Sequence, residues 1–180
     1  LGNITAGTLT IGDSTAGAMT VNGISSANST NITNVDLNSS SIVFSTGDST
    51  FKGLTATANT GTITGAEALT VTSTSSFTTS ASNQSITLSS TSNDFTSAVS
   101  FNTTGSSANT TLVTNSSIIL GASTIGGDHS VTVGGTSKTL NISGAQDVAG
   151  AITLQSSGDL TLTSSLSSSS SSDSAISLTS

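Results

Sequence analysis

Apolar-x-apolar triplets return along this chain with a period near 22 residues, and that recurrence restricts the fold more than any other feature. One series runs Leu9/Ile11, Ile32, Leu54/Ala56, Phe77, Val99/Phe101, Ile118/Leu120, Leu140/Ile142 and Leu160/Leu162. Its steps are 23, 22, 23, 22, 19, 22 and 20 residues. A second series runs Met19/Val21, Ile42/Phe44, Ile63, Ile86/Leu88, Leu112, Val131/Val133, Ile152/Leu154 and Ile176/Leu178. Its steps are 23, 21, 23, 26, 19, 21 and 24. Leu69/Val71 fits nearly as well in place of Ile63 or Phe77.

Alternation with period 2 places the outer residues of a triplet on one face of a strand and the middle residue on the other. The middle residues are mostly Thr, Ser or Asn, among them Thr10, Thr20, Thr87, Ser100, Thr132, Asn141, Thr153 and Ser177. The apolar pair therefore points inward and the polar residue outward. A coil of about 22 residues cannot bury its apolar face alone, so successive coils must stack. The expected fold is all-β: a right-handed parallel β-helix of about eight coils, forming one segment over residues 1–180. At a strand spacing of about 4.8 Å, eight coils make a rod on the order of 40 Å long.

Composition agrees with a thin interior column. Hydrophobic residues are 32%, with no Trp, no Tyr and five Phe, too few large side chains for a thick globular core. Charged residues are only 6%, which removes the high-charge profile of a disordered chain. Pro is absent and β-branched residues are abundant, as strands require. Gly12-Asp13, Gly47-Asp48, Gly126-Gly127-Asp128, Gly134-Gly135 and Gly158-Asp159 mark corners, where these residues tolerate positive φ. Ile24, Phe51, Phe95, Ile125 and Val148 fall between triplets and are expected to fill the column near the turns. The Ser-rich segment 163–174 breaks the pattern and reads as a surface loop with Leu166 tucked inward, or alternatively as a disordered linker.

Charge and cysteine usage exclude several partners. Nine acids stand against Lys52 and Lys138 with no Arg, for a formal charge of −7. Nucleic acid and anionic membranes both need clustered cations. Without Cys there are no disulfides or thiolate metal sites, and no apolar run approaches the ~18 residues of a membrane span. No leader is visible, because Leu1 opens directly into repeat-like sequence, so the segment is expected to belong to a longer repeat protein or polymer.

The stretch Ser85–Gly135 carries a family resemblance. Asn93-Asp94-Phe95 followed by Val99 has the phrasing of the repeat region of filamentous haemagglutinin-type adhesins. So does Leu120-Gly121 with Ser123-Thr124-Ile125-Gly126-Gly127, followed by Val131-Thr132-Val133. These adhesins are large exoproteins of bacterial two-partner secretion. The resemblance implies a right-handed β-helix, export to the surface of a Gram-negative-type cell, and a role in adhesion or surface structure. The family's amino-terminal secretion domain is not recognisable here, which leaves the export route and any receptor-binding segment open.

Candidate chemistry is sparse. His129 is the only histidine and lies beside Asp128 and Ser130 in a Gly-rich stretch. Adjacent residues in such a turn point different ways and do not form a catalytic triad, so His129 reads as a solvated turn residue. The acids are Asp13, Asp36, Asp48, Glu67, Asp94, Asp128, Asp147, Asp159 and Asp173, roughly one per coil. Four of them adjoin Gly, where Asp serves a turn by bonding its own backbone, and paired carboxylates of a glycosidase are not evident. The calcium-binding nonapeptide phrasing is also absent. Thr-x-Thr rows such as Thr8/Thr10, Thr70/Thr72 and Thr161/Thr163 raise the idea of a lattice-matching, ice-binding face, against which the drift in coil length counts. Nine Asn-x-Ser/Thr sequons are largely what this composition produces.

The expectation is a non-enzymatic extracellular rod with no catalytic, cofactor or metal residues. Its expected partners are surface glycans or proteins, or further copies of itself through the ends of the helix, with no nucleic acid and no membrane insertion. A self-assembling filament or sheath subunit is the alternative.

Overall fold

The structure, a computed structural model, describes residues 1–173 and 175–180. Alternation becomes geometry strand by strand. In Leu54–Ala58, for example, Leu54, Ala56 and Ala58 are buried while Thr55 and Thr57 are half-buried. Every pairing between described strands is parallel, and one four-residue helix, Ser26–Ser29, is the only helix among the described residues. Parallel neighbours cannot be joined by a tight hairpin. The chain instead travels once around the rod before pairing with itself, and the result is a parallel β-helix of about eight coils of about 22 residues.

Three faces line the column. The first sheet stacks Ala6–Gly12, Ile32–Ser39, Leu54–Ala58, Ser75–Ser82, Ala98–Thr104, Ile118–Leu120, Leu140–Ile142 and Leu160–Leu162. The second stacks Met19–Val21, Ile42–Phe44, Ile63–Gly65, Ile86–Leu88, Thr110–Thr114, His129–Val133, Ile152–Ser156 and Ile176–Thr179. A short third sheet stacks Ser49–Phe51, Leu69–Val71 and Asp94–Phe95. Leu69/Val71 thus belongs to neither sequence series; it builds a face of its own, with Phe51 and Phe95 in line.

Register corrects two members of the series. Ile32 lies opposite Ala6, and the line through Leu9 and Leu54 is filled instead by Val35. In the second sheet Ile152 and Leu154 face His129 and Val131, whereas Val133 lies between Thr114 and Ser156. Spacing alone chose Val131/Val133 because both are apolar, but parallel pairing shifts the frame by one inward position.

The interior is a single column of buried apolar side chains. One part of it is aromatic: the Phe77 ring stacks on Phe101 at 5.7 Å and meets Phe95 edge-on at 6.1 Å. Beyond Phe95 the third sheet ends and the cross-section changes. The long strand Ala98–Thr104 pairs with two shorter strands, Ile118–Leu120 and Ser123–Ile125, separated by a corner at Gly121-Ala122. That corner repeats one coil later before Gln146–Val148, and then before Leu166–Ser168. Ser123 Oγ accepts the Phe101 N–H at 3.1 Å. Gln146 Nε2 donates to Gly121 O at 2.7 Å and Gly144 O at 2.8 Å, so buried side chains complete the backbone bonding where the strand breaks.

The Ser-rich region is partly strand. Leu166–Ser168 continues the ladder with Leu166 half-buried, and Ser169–Asp173 follow it. Ser174, the end of the expected loop, lies outside the described residues.

Candidate functional site

His129 departs furthest from its sequence reading. It is 1% exposed and begins a strand in place of a solvated turn. Its ladder neighbours are Thr110 on one coil and Ile152 on the next, so imidazole occupies an interior line otherwise held by Ile42, Ile63 and Ile86. Nδ1 lies 2.5 Å from the Thr110 hydroxyl, and the ring packs 5.9 Å from that of Phe101. Nε2 is buried without a hydrogen-bond partner. Burial penalises the charged form and pushes the pKa from 6.5 down to about 4. The signal for this placement was in the sequence. Counting back two residues from Leu112 and Val131 gives Thr110 and His129, as Ile86 precedes Leu88 and Ile152 precedes Leu154.

The acids do not converge. Among the described residues, no three His, Cys, Asp or Glu side chains lie close enough together to hold a metal ion. Their roles at turns also differ from expectation. Asp13 does bond its own turn, accepting the Thr15 N–H and hydroxyl at 2.7 Å each, and these hydrogen bonds hold its pKa below the usual carboxylate range. Asp48 and Asp128 instead reach across to the next coil, accepting the N–H of Ala68 at 3.0 Å and of Ala151 at 2.8 Å. Stacking brings the next turn within reach of a short side chain, and that contact replaces the local one.

Two polar devices were missed by the sequence reading. Asn93, buried, accepts the Leu69 N–H at 2.9 Å and donates to Val113 O at 3.1 Å, linking three coils. Thr79 and Thr103, buried where first-sheet strands turn away, each donate at 2.8 Å to a carbonyl five residues on, Gln84 O and Ala108 O. Both devices depend on pairs of residues that only the folded turn brings together.

The outer face of the second sheet carries a continuous column: Thr20, Val43, Thr64, Thr87, Thr111, Ser130, Thr153 and Ser177. Register along this sheet is unbroken. The drift in coil length is taken up in the turns, and only Val43 interrupts the hydroxyls.

Residues 32–102 match a sequence family described as repeats of unknown function (DUF5649). The similarity covers less than half of the chain, the region from the second strand of the first sheet to the fifth. No curated protein and no solved structure matches the chain. What the comparison supports is a repeat protein, and the matched residues span about three circuits of the helix.

Both end coils leave interior lines open. At the amino-terminal end Leu1, Ile11, Met19 and Ile24 are half-buried around a cavity of about 190 Å³ floored by Phe51. At the other end Leu162, Ile176 and Leu178 are 48%, 43% and 44% exposed. These three occupy the same lines as Ile142, Ile152 and Leu154, which the stack buries completely.

Proposed function

We propose that this chain is a segment of an extracellular structural rod that holds adhesive or other modules away from a bacterial surface and catalyses nothing. One observation carries the reading: the second sheet runs through eight strands in unbroken parallel register, so hydrogen bonds along the rod axis and a continuous apolar column resist bending together. The likeness of Ser85–Gly135 to filamentous haemagglutinin-type repeats supports surface export. The hydroxyl column from Thr64 to Ser177 offers many weak donors and acceptors with no charge, suited to neutral glycans bound multivalently. The parallel ladder, in which each coil pairs with the next through the backbone, favours a second reading, in which copies stack end to end as filament subunits.

Electron microscopy of the purified chain, with glycan-array binding of the chain displayed on beads, tests both. Short stiff rods whose glycan binding grows with display density are the expected result. End-to-end polymers with no glycan binding at any density would favour the filament subunit, and flexible threads or globules would end both readings.

A further inference from the structure

We propose that the stack contains an acid-labile seam between the strands Thr110–Thr114 and His129–Val133, with the His129 imidazole as its trigger. The inference concerns the rod itself and holds whatever the rod carries.

Several features meet at this level. The step from Thr110 to its partner His129 is 19 residues, shorter than the steps from Ile86 to Thr110 and from His129 to Ile152. The third sheet has just ended at Phe95, and the first sheet has just broken at Gly121-Ala122. Interior Ile gives way here to a polar pair, Thr110 and His129, joined by one hydrogen bond.

The surroundings of the ring suit neutral imidazole. Either tautomer uses Nδ1 toward Thr110 and leaves Nε2 without a partner. Protonation would make both nitrogens donors and place a charge inside an apolar column: Nδ1–H can still donate to the Thr110 hydroxyl, but Nε2–H and the charge find no compensation. Among the described residues no charged side chain faces the ring. Strand Thr110–Thr114 turns Leu112 inward beside Thr110, Ile152–Ser156 turns Ile152 and Leu154 inward, and Ala98–Thr104 presents Phe101. The corner strands contribute buried Ile125 and Val148, and their one acid, Asp147, is exposed. Asp128, adjacent in sequence, is exposed and occupied with the Ala151 N–H.

Protons therefore favour any state in which this level opens and imidazole reaches water. The aromatic coils before it contain no histidine and gain nothing from opening. An ordinary imidazole in the open state and a strongly depressed one in the closed state make opening at pH 4.5 on the order of a hundredfold more favourable than at pH 7.5.

Amide hydrogen exchange on the whole chain at the two pH values, expressed as protection factors, reads the seam directly. The expected result is a drop in protection of roughly that size at residues 110–114, 129–133 and 152–156, with little change at 54–58 and 75–82. In His129→Leu the pH-dependent drop disappears. Should that variant not fold, the imidazole resonance of the unmodified chain gives the second measurement: it stays neutral through pH 5.5 while the fold is intact. A drop spread evenly over all coils, an unchanged drop in His129→Leu, or titration near pH 6.5 in the folded chain would each overturn the proposal.

Discussion

Asn109 Oδ1 accepts the Asp128 N–H at 2.8 Å from the coil below, and Asp128 passes the same service upward by accepting the Ala151 N–H at 2.8 Å. Asn109 N–H in turn donates to Ser85 Oγ at 3.1 Å. Three side chains, Ser85, Asn109 and Asp128, thus link four coils, each accepting the backbone N–H of the coil above. Asp128→Ala removes the acceptor of Ala151 in an exposed position, where a hydrogen bond is worth about 0.5–1.5 kcal/mol. Denaturant unfolding should show a loss in that range, and Asp128→Asn should recover most of it. A loss in both variants alike would mean that the carboxylate charge, and not the accepted hydrogen bond, is what the turn uses.

That ladder also marks where sequence reading runs out. The stack itself was legible because one variable, inward or outward, repeats with period 2 in the strand and about 22 along the chain. Ile42, Ile86 and Ile152 needed nothing more, and they lie in one line. His129 was misplaced because a polar residue in an inward position looks like a turn until the register is known. Asp128 was assigned to its own turn because its actual partner, Ala151, lies 23 residues on. Distances within a coil can be counted along the chain, while contacts between turns depend on how each turn folds.

The corner at Gly144 should tolerate no side chain. A Cβ there would collide with the Ala122 backbone nitrogen and the Gly121 carbonyl carbon, neither of which belongs to a flexible side chain. Gly144→Ala must therefore push apart two coils that Gln146 ties together through Gly121 O and Gly144 O. A cost of about 1–3 kcal/mol or more is expected, as for overpacking in a core. Gly17→Ala is the control, since a Cβ there meets nothing within 4 Å. Thermal unfolding of the two variants separates them; equal midpoints would contradict the close approach of the coils.

Phe77 is the centre of the aromatic part of the column, fully buried between Ala56 and Phe101 in the ladder. Phe77→Ala should cost about 3–5 kcal/mol, as large-to-small changes of a buried aromatic do. Phe101→Ala should be of similar size, and because the two rings stack, the double variant should cost less than the two together. Strict additivity in a denaturant-unfolding cycle would show that the rings do not share a packing environment.

Global stability should depend on pH in a window set by His129. Its pKa is about 4 in the folded chain and near 6.5 when unfolded. The unfolded state therefore binds the proton first as pH falls, and stability rises with pH between these values. The contribution is fully present above pH 6.5, declines through the window, and is gone below about 4, a total of about 3 kcal/mol. Asp13 acts lower on the scale. Its depressed pKa, caused by the Thr15 hydrogen bonds, supplies stability that is present above 3.8 and lost only below that, so it does not overlap the histidine window. Unfolding free energies measured from pH 7.5 to 4.5 should fall in the parent chain and stay nearly level in His129→Leu. A parallel fall in both would transfer the acid sensitivity to the carboxylates of the turns.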